Sequence, residues 1–145
     1  MPRQAEPRLS SVAVLDAEAL SVLSQPRERT ASARRAQAVL EAIERRGGYA
    51  ALPAPVLAET SRTRSRRDAT ARVLRCLDVV PTDRRIAQVA GALLQAAALP
   101  SKEAIDAFVV ATAAMHQSAL VLTSDASELE RLAAVLPNVA IQHLG

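Results

Sequence analysis

The sequence predicts an α/β protein with a mostly parallel central sheet of about five strands and helices on both faces. Three observations predict it. Short apolar runs at 12–15, 49–52, 77–80, 119–122 and 139–144 alternate with segments of helical period along the chain. The run Ala-Leu-Val-Leu at 119–122 is too apolar to face water on either side, as a central parallel strand would be. The segment before it, 105–115, carries no charge except Asp106, and a helix apolar nearly all round belongs in a protein interior.

The elements follow in order. Residues 1–10 are polar, carry two prolines and read as a loose arm. The first strand, 12–15, is followed directly by Asp16, and residues 17–23 start a short helix that Gln25-Pro26 breaks. Residues 30–46 form a helix with Ala36, Val39, Leu40 and Ile43 on one stripe, closed by Gly47-Gly48. After the strand at 49–52, Pro53 and Pro55 fix the start of a helix that carries Glu59. Residues 62–75 hold six arginines against one acid. A third strand at 77–80 stops at Pro81, and residues 83–99 form a helix facing inward through Ile86, Val89, Ala90, Leu93, Leu94 and Ala97. Pro100 ends it, and Ser101 stands where an N-cap would open the next helix. The fourth strand ends in Thr123-Ser124-Asp125, where Asp125-x-x-Glu128 has the pattern of a capping box for a helix at 126–136.

With 145 residues the chain is long enough for one domain with a respectable core, taken as 1–145. Half the residues are hydrophobic but only Tyr49 and Phe108 are aromatic, so the core is Ala, Val, Leu and Ile. Net charge is +3, and Lys102 is the sole lysine among the cations. Cys76 stands alone, which excludes an internal disulfide and fits a reducing compartment. Asp16 and Glu18 interrupt the first apolar run, and Asp106, His116 and Gln117 break the longest later one. Neither a signal peptide nor a membrane span is expected, and the reading is a soluble, cytoplasmic protein.

Several chemistries fall away. The four glycines form no phosphate-cradling loop. His143 lies in the terminal strand, and His116 is ten residues beyond Asp106, ~15 Å along a helix axis. Cys76 has no nearby histidine to activate it, and no Cys/His spacing suggests zinc. Carboxylates in unusual places remain: Asp16 after the first strand, Glu59 after a Pro-Ala-Pro turn, Asp106 in an apolar helix and Asp125 after the fourth strand. Each has a plainer reading: Asp16 or Asp125 as a cap, Glu59 paired on its own helix face. Asp106 is the hardest to explain plainly, because an unpaired buried carboxylate is costly. Ligands of open α/β sheets bind outside the carboxyl ends of strands. Two carboxylates ~4 Å apart repel by about 4 kcal/mol at an effective dielectric of 20. A cluster of four needs a cation, and all-oxygen ligation points to Mg²⁺ or Mn²⁺.

Val-Leu-Asp16-Ala-Glu-Ala-Leu, Pro-Ala-Pro-Val-Leu-Ala-Glu59, Ile-Asp106-Ala-Phe-Val-Val-Ala-Thr-Ala and Leu-Thr-Ser-Asp125 together resemble the PIN-domain ribonucleases. More specifically, they resemble the VapC-type toxins of bacterial toxin–antitoxin pairs, over most of the chain from residue 12 onward. The resemblance implies a three-layer α/β/α domain, an acidic Mg²⁺ site, RNA cleavage, a small neutralising antitoxin of the VapB type and a homodimer. It makes Asp16, Glu59, Asp106 and Asp125 the acidic site, with Asp16 and Asp106 the first choices for direct metal ligands, and Thr123 a supporting hydroxyl. It departs from the pattern in two places. Only Glu18 can supply the further polar residue expected soon after the first aspartate, and Phe108 stands where relatives often carry His or a small apolar residue. Arg62, Arg64, Arg66 and Arg67 follow Glu59 and are placed to meet RNA phosphates; a solvated surface explains the same run equally well. Two other readings stay open: a different Mg²⁺-dependent phosphohydrolase using Asp16 as nucleophile, and a non-catalytic partner-binding module.

Overall fold

The computed structural model describes residues 10–25, 30–62 and 67–145, with the side chains of 67–69 excepted. The loose-arm expectation for 1–10 therefore lies outside the described residues except at Ser10, which is buried and shares a hydrogen bond of 3.0 Å with the Ser118 hydroxyl.

Five strands form one sheet: β1 (Val12–Leu15), β2 (Tyr49–Pro53), β3 (Asp78–Val80), β4 (Ala119–Thr123) and β5 (Val139–His143). Their order is β3-β2-β1-β4-β5, and every pairing is parallel. The connections carry α1 (Ala17–Leu23), α2 (Ala31–Arg45), α3 (Ala54–Thr60), α4 (Arg67–Leu74), α5 (Arg84–Ala97), α6 (Ala104–Ala114) and α7 (Ser127–Ala133). From β1 the chain steps outward to β2 and β3, then returns past β1 to β4 and continues to β5. Right-handed crossovers taken in opposite directions place their helices on opposite faces. Accordingly α1 packs with α2, α3 and α4, whereas α5, α6 and α7 pack on one another. The expected sheet, with helices on both faces, is what forms.

Burial follows the position of each strand. All of β1 is buried and β4 nearly so, whereas the edge strand β3 keeps Asp78 and Val79 exposed. A central parallel strand covered on both faces has no polar side to show, which is why β1 and β4 read as continuous apolar runs. Helix α6 buries Ala107, Val109, Val110, Ala111, Thr112 and Ala113, so it is apolar nearly all round, as expected.

Two helix ends show different solutions to the same problem. At α2, Gly47 adopts φ +76° and the N–H groups of Gly47 and Gly48 donate to Glu44 and Ile43 carbonyls at 2.9 and 3.0 Å. This is the paired closing motif that glycine favours. Gly48 has a second duty: a Cβ there would collide with the Ser11 backbone at the start of β1. At α5 the left-handed position is filled by Ala98, with φ 54°. Residues 67–74 of the arginine-rich stretch, for which the sequence offered no element, form α4. Two boundaries differ from expectation. Ser101 lies inside a 3-10 turn, because Glu103 N–H reaches the Pro100 carbonyl at 3.0 Å, so it does not cap α6. Helix α7 starts at Ser127 with Ala126 as its cap, and no capping box forms.

Candidate active site

The strand order reverses direction between β1 and β4, and in doubly wound sheets ligands bind outside the carboxyl ends of strands at such a point. Leu15 pairs with Leu122 at the last rung, and Asp16 N–H continues the ladder to the Leu122 carbonyl at 3.4 Å. Asp16 on β1 and Thr123-Ser124-Asp125 on β4 therefore emerge side by side.

Asp16 is 6% exposed. Its backbone is extended and its Oδ1 accepts from Ala19 N–H at 2.8 Å, so it is the N-cap of α1. The cap leaves the other oxygen for the site. Burial is the main influence on its pKa, raising it to about 6; the Thr123 hydroxyl and the Ala19 N–H pull the other way, and the Glu18 charge adds to the rise. Thr123 is fully buried, and its Oγ1 accepts from Asp125 N–H at 3.0 Å. That leaves one hydroxyl proton for two acceptors, the Asp125 carbonyl at 2.9 Å and the Asp16 carboxyl.

Asp106 stands in the first turn of α6 and is partly buried. Its pKa is raised to about 7, first by burial and then by the charges of Asp16, Glu103 and Glu128; a hydrogen bond with Glu103 also favours the protonated form. The two aspartates repel one another when both are charged, which favours a proton on the pair.

The remaining expected residues are placed differently. Glu59 is exposed on the last turns of α3. Asp125 is exposed, and its Oδ1 accepts from the N–H and hydroxyl of Ser127 at 3.4 and 3.2 Å, an Asx-type turn rather than a capping box. Among the described residues no three acidic, histidine or cysteine side chains stand together as a closed metal site. The structure thus brings Asp16 and Asp106 within electrostatic reach of one another and does not gather Glu59 and Asp125 around the same point. Arg62 is exposed just beyond α3. Arg64 and Arg66 lie outside the described residues, as does the side chain of Arg67, whose backbone opens α4.

Two carboxylates that act on the site were not assigned to it from the sequence. Glu103, one turn before Asp106, and Glu128 on α7 both act on Asp106. The spacing of Glu103 was a usable signal; the approach of Glu128 depends on α6 packing against α7. The donor set fits a hard divalent cation. Two oxygen ligands pushed toward protonation by burial and by neighbouring acids regain their charged form when a cation takes the protons' place. Mg²⁺ characteristically binds through one or two carboxylates and keeps several waters, so a closed protein cage is not required. Both buried hydroxyls without a partner among the described residues, Thr82 Oγ1 and Ser124 Oγ, lie just past the carboxyl ends of β3 and β4. Unsatisfied buried polar atoms are uncommon elsewhere in proteins and are expected near ligand sites.

An all-parallel doubly wound sheet with paired acids at its switch point defines a class of α/β domain with a carboxylate-built site. The chain belongs to the PIN-domain family, whose profile matches residues 13–135. Its fold is similar to that of a chain in a toxin–antitoxin complex from Klebsiella pneumoniae, with TM-score 0.62 and 22% identity over 88% of this chain and 95% of that one. It is also similar to a chain of VapBC2 from Rickettsia felis bound to a DNA fragment from their promoter, with TM-score 0.63 and 16% identity over 91% and 98%. No curated protein sequence matches significantly. Among the described residues no helix is long and apolar enough to cross a membrane.

Proposed function

We propose that this PIN-domain protein is a divalent-metal-dependent endoribonuclease and the toxin of a toxin–antitoxin pair. The observation that carries the reading is the Asp16–Asp106 pair at the β1/β4 switch point, two oxygen ligands whose charges are mutually unfavourable until a cation joins them. Asp16 and Asp106 would hold Mg²⁺, with Mn²⁺ as a substitute. Bound there, the ion supplies a lowered pKa for its water and charge neutralisation on the phosphoryl group. The chain's own residues do the rest. Asp16 is aimed by its cap bond to Ala19, which fixes one oxygen and leaves the other for the ion. Thr123 supports Asp16 through its hydroxyl. Glu59 and Asp125 stand exposed and apart from this pair, and would orient water or a second ion only where bound RNA drew them toward it. Burial of Asp16 keeps bulk water from the anchored side of the site.

The substrate class follows from composition. With Tyr49 and Phe108 the sole aromatics, stacking on side chains contributes little, so recognition rests on backbone contacts and RNA shape. Arg62, with Arg64, Arg66 and Arg67, supplies phosphate contacts next to Glu59. Its structural neighbours come from toxin–antitoxin complexes, which supports a small antitoxin partner of the VapB type; a homodimeric state and a cytoplasmic setting are proposed with it. The test is cleavage of RNA by the purified protein with Mg²⁺ or Mn²⁺, with EDTA and with Asp106→Asn. Loss of cleavage in both controls supports the reading. Equal cleavage with and without chelator overturns it.

A further inference from the structure

We propose that His143 is a positioning residue of the acidic site, holding the turn at the end of β4 by a hydrogen bond to the Ser124 carbonyl. His143 is the last residue of β5 and lies in register with Thr123. Its Nε2 is 2.8 Å from Ser124 O. A carbonyl only accepts, so Nε2 carries the proton and donates, which fixes the ring's role in this contact.

The peptide held in this way is the one joining Ser124 to Asp125. It is planar and trans, so fixing its oxygen on one side also fixes the direction of its N–H on the other. That N–H belongs to Asp125 and donates to Thr123 Oγ1 at 3.0 Å. Thr123 Oγ1 in turn neighbours the Asp16 carboxyl. A continuous chain of contacts therefore runs from the imidazole, through one rigid peptide, to the hydroxyl that supports the first acid of the site. The histidine acts from a fixed base. Leu144, next along, is fully buried; its N–H donates to Thr123 O at 2.8 Å, and its carbonyl accepts from Arg35 at 2.7 Å. The backbone is thus already ordered, and the bond to Ser124 costs only the side chain's own rotamer freedom.

The inference rests on the reading of Asp16 as a metal ligand, and its test separates the two. The full chain is compared with His143→Ala and His143→Gln, the glutamine amide keeping an N–H that reaches a carbonyl. Two quantities are read: exchange of the Asp125 amide hydrogen by NMR in EDTA, and Mn²⁺ affinity by titration. The alanine variant is expected to speed Asp125 exchange about tenfold while leaving the Val109 and Leu129 amides unchanged. It should also weaken Mn²⁺ binding by about 10-fold, the lower end of what outer partners of metal ligands typically contribute. The glutamine variant should restore both. Wild-type exchange at Asp125 in the alanine variant overturns the proposal, and so does an equal loss in both variants. Failure of the wild-type chain to bind Mn²⁺ counts against the metal site alone, since Asp125 exchange in EDTA still decides the role of His143.

Discussion

Asp16, the cap of α1, and Asp106, in the first turn of α6, stand close enough that their charges repel and a proton on the pair is favoured. Asp16 is the more buried but is supported by the Thr123 hydroxyl and the Ala19 N–H. Asp106 is less buried but faces Asp16, Glu103 and Glu128 together. Neutralising Asp106 should therefore relieve strain in the metal-free protein. Asp106→Asn, which keeps a donor for Glu103, is expected to raise the melting temperature in EDTA at pH 8 by a few degrees, on the order of 1 kcal/mol. Breaking a buried ion pair would instead cost about 3–5 kcal/mol, so a clearly lower melting temperature would show that Asp106 has a cationic partner.

The same pair predicts a pH dependence. Both groups have folded-state pKa values raised above the ordinary value of 3.8, to about 6 and about 7. Between pH ~4 and ~7 the folded state therefore holds protons that the unfolded state has released, and stability from these groups falls as pH rises through that window. The difference in melting temperature between Asp106→Asn and wild type in EDTA should be smallest near pH ~4, grow through this window and level off above pH ~7.5. A difference that is flat across the range would remove the electrostatic account of Asp106.

Mg²⁺ should reverse the penalty. An ion that binds only the folded state adds about 2.7 kcal/mol at a hundredfold excess over Kd. Wild-type melting is expected to rise with Mg²⁺ at pH 8 and to respond weakly at pH 5, where both carboxyls keep their protons. Asp106→Asn should respond less than wild type at pH 8. Equal responses of the two proteins would place the ion elsewhere.

Two backbone positions test the fold apart from the site. Ala98 occupies a left-handed conformation that costs a non-glycine residue roughly 1–2 kcal/mol, so Ala98→Gly should stabilise by about 0.5–1 kcal/mol after the unfolded chain's added freedom is counted. Gly48→Ala should do the opposite, because its Cβ meets the Ser11 backbone rather than a movable side chain. Urea melts of both variants give the signs directly.

Much of this could be read from residues alone, and the limits have physical causes. Strands β1 and β4 were legible because burial on both faces removes polar residues altogether. Gly47-Gly48 marked the end of α2 because glycine tolerates the conformation that closes it. Asp106 was legible as a charge in an apolar helix, and the all-parallel sheet put Asp16 beside it. Ala98 gave no sign, since an alanine announces no left-handed turn. Helix α4 was hidden in an arginine run whose apolar positions are few. The capping box at Asp125 failed because the Asp125 N–H donates to the Thr123 hydroxyl, while the Glu128 carboxylate accepts from the Ser127 hydroxyl at 2.7 Å instead of reaching back. His143 was set aside as a residue of the last strand. Only the register of β5 against β4 shows its ring crossing to Ser124.

Asp16 closes helix α1 with one carboxylate oxygen and offers the other to the site. Any inert form of the protein made by deleting this side chain will thus confound two losses, because Asp16→Ala removes a cap worth about 1 kcal/mol together with the charge. Asp16→Ser separates them: the hydroxyl still accepts from the start of α1, while the charge that this position offers a cation is gone. On the proposed reading, a folded stand-in that lacks this ligand, suited to trapping RNA or an inhibitor protein, is reached at this position through serine rather than alanine.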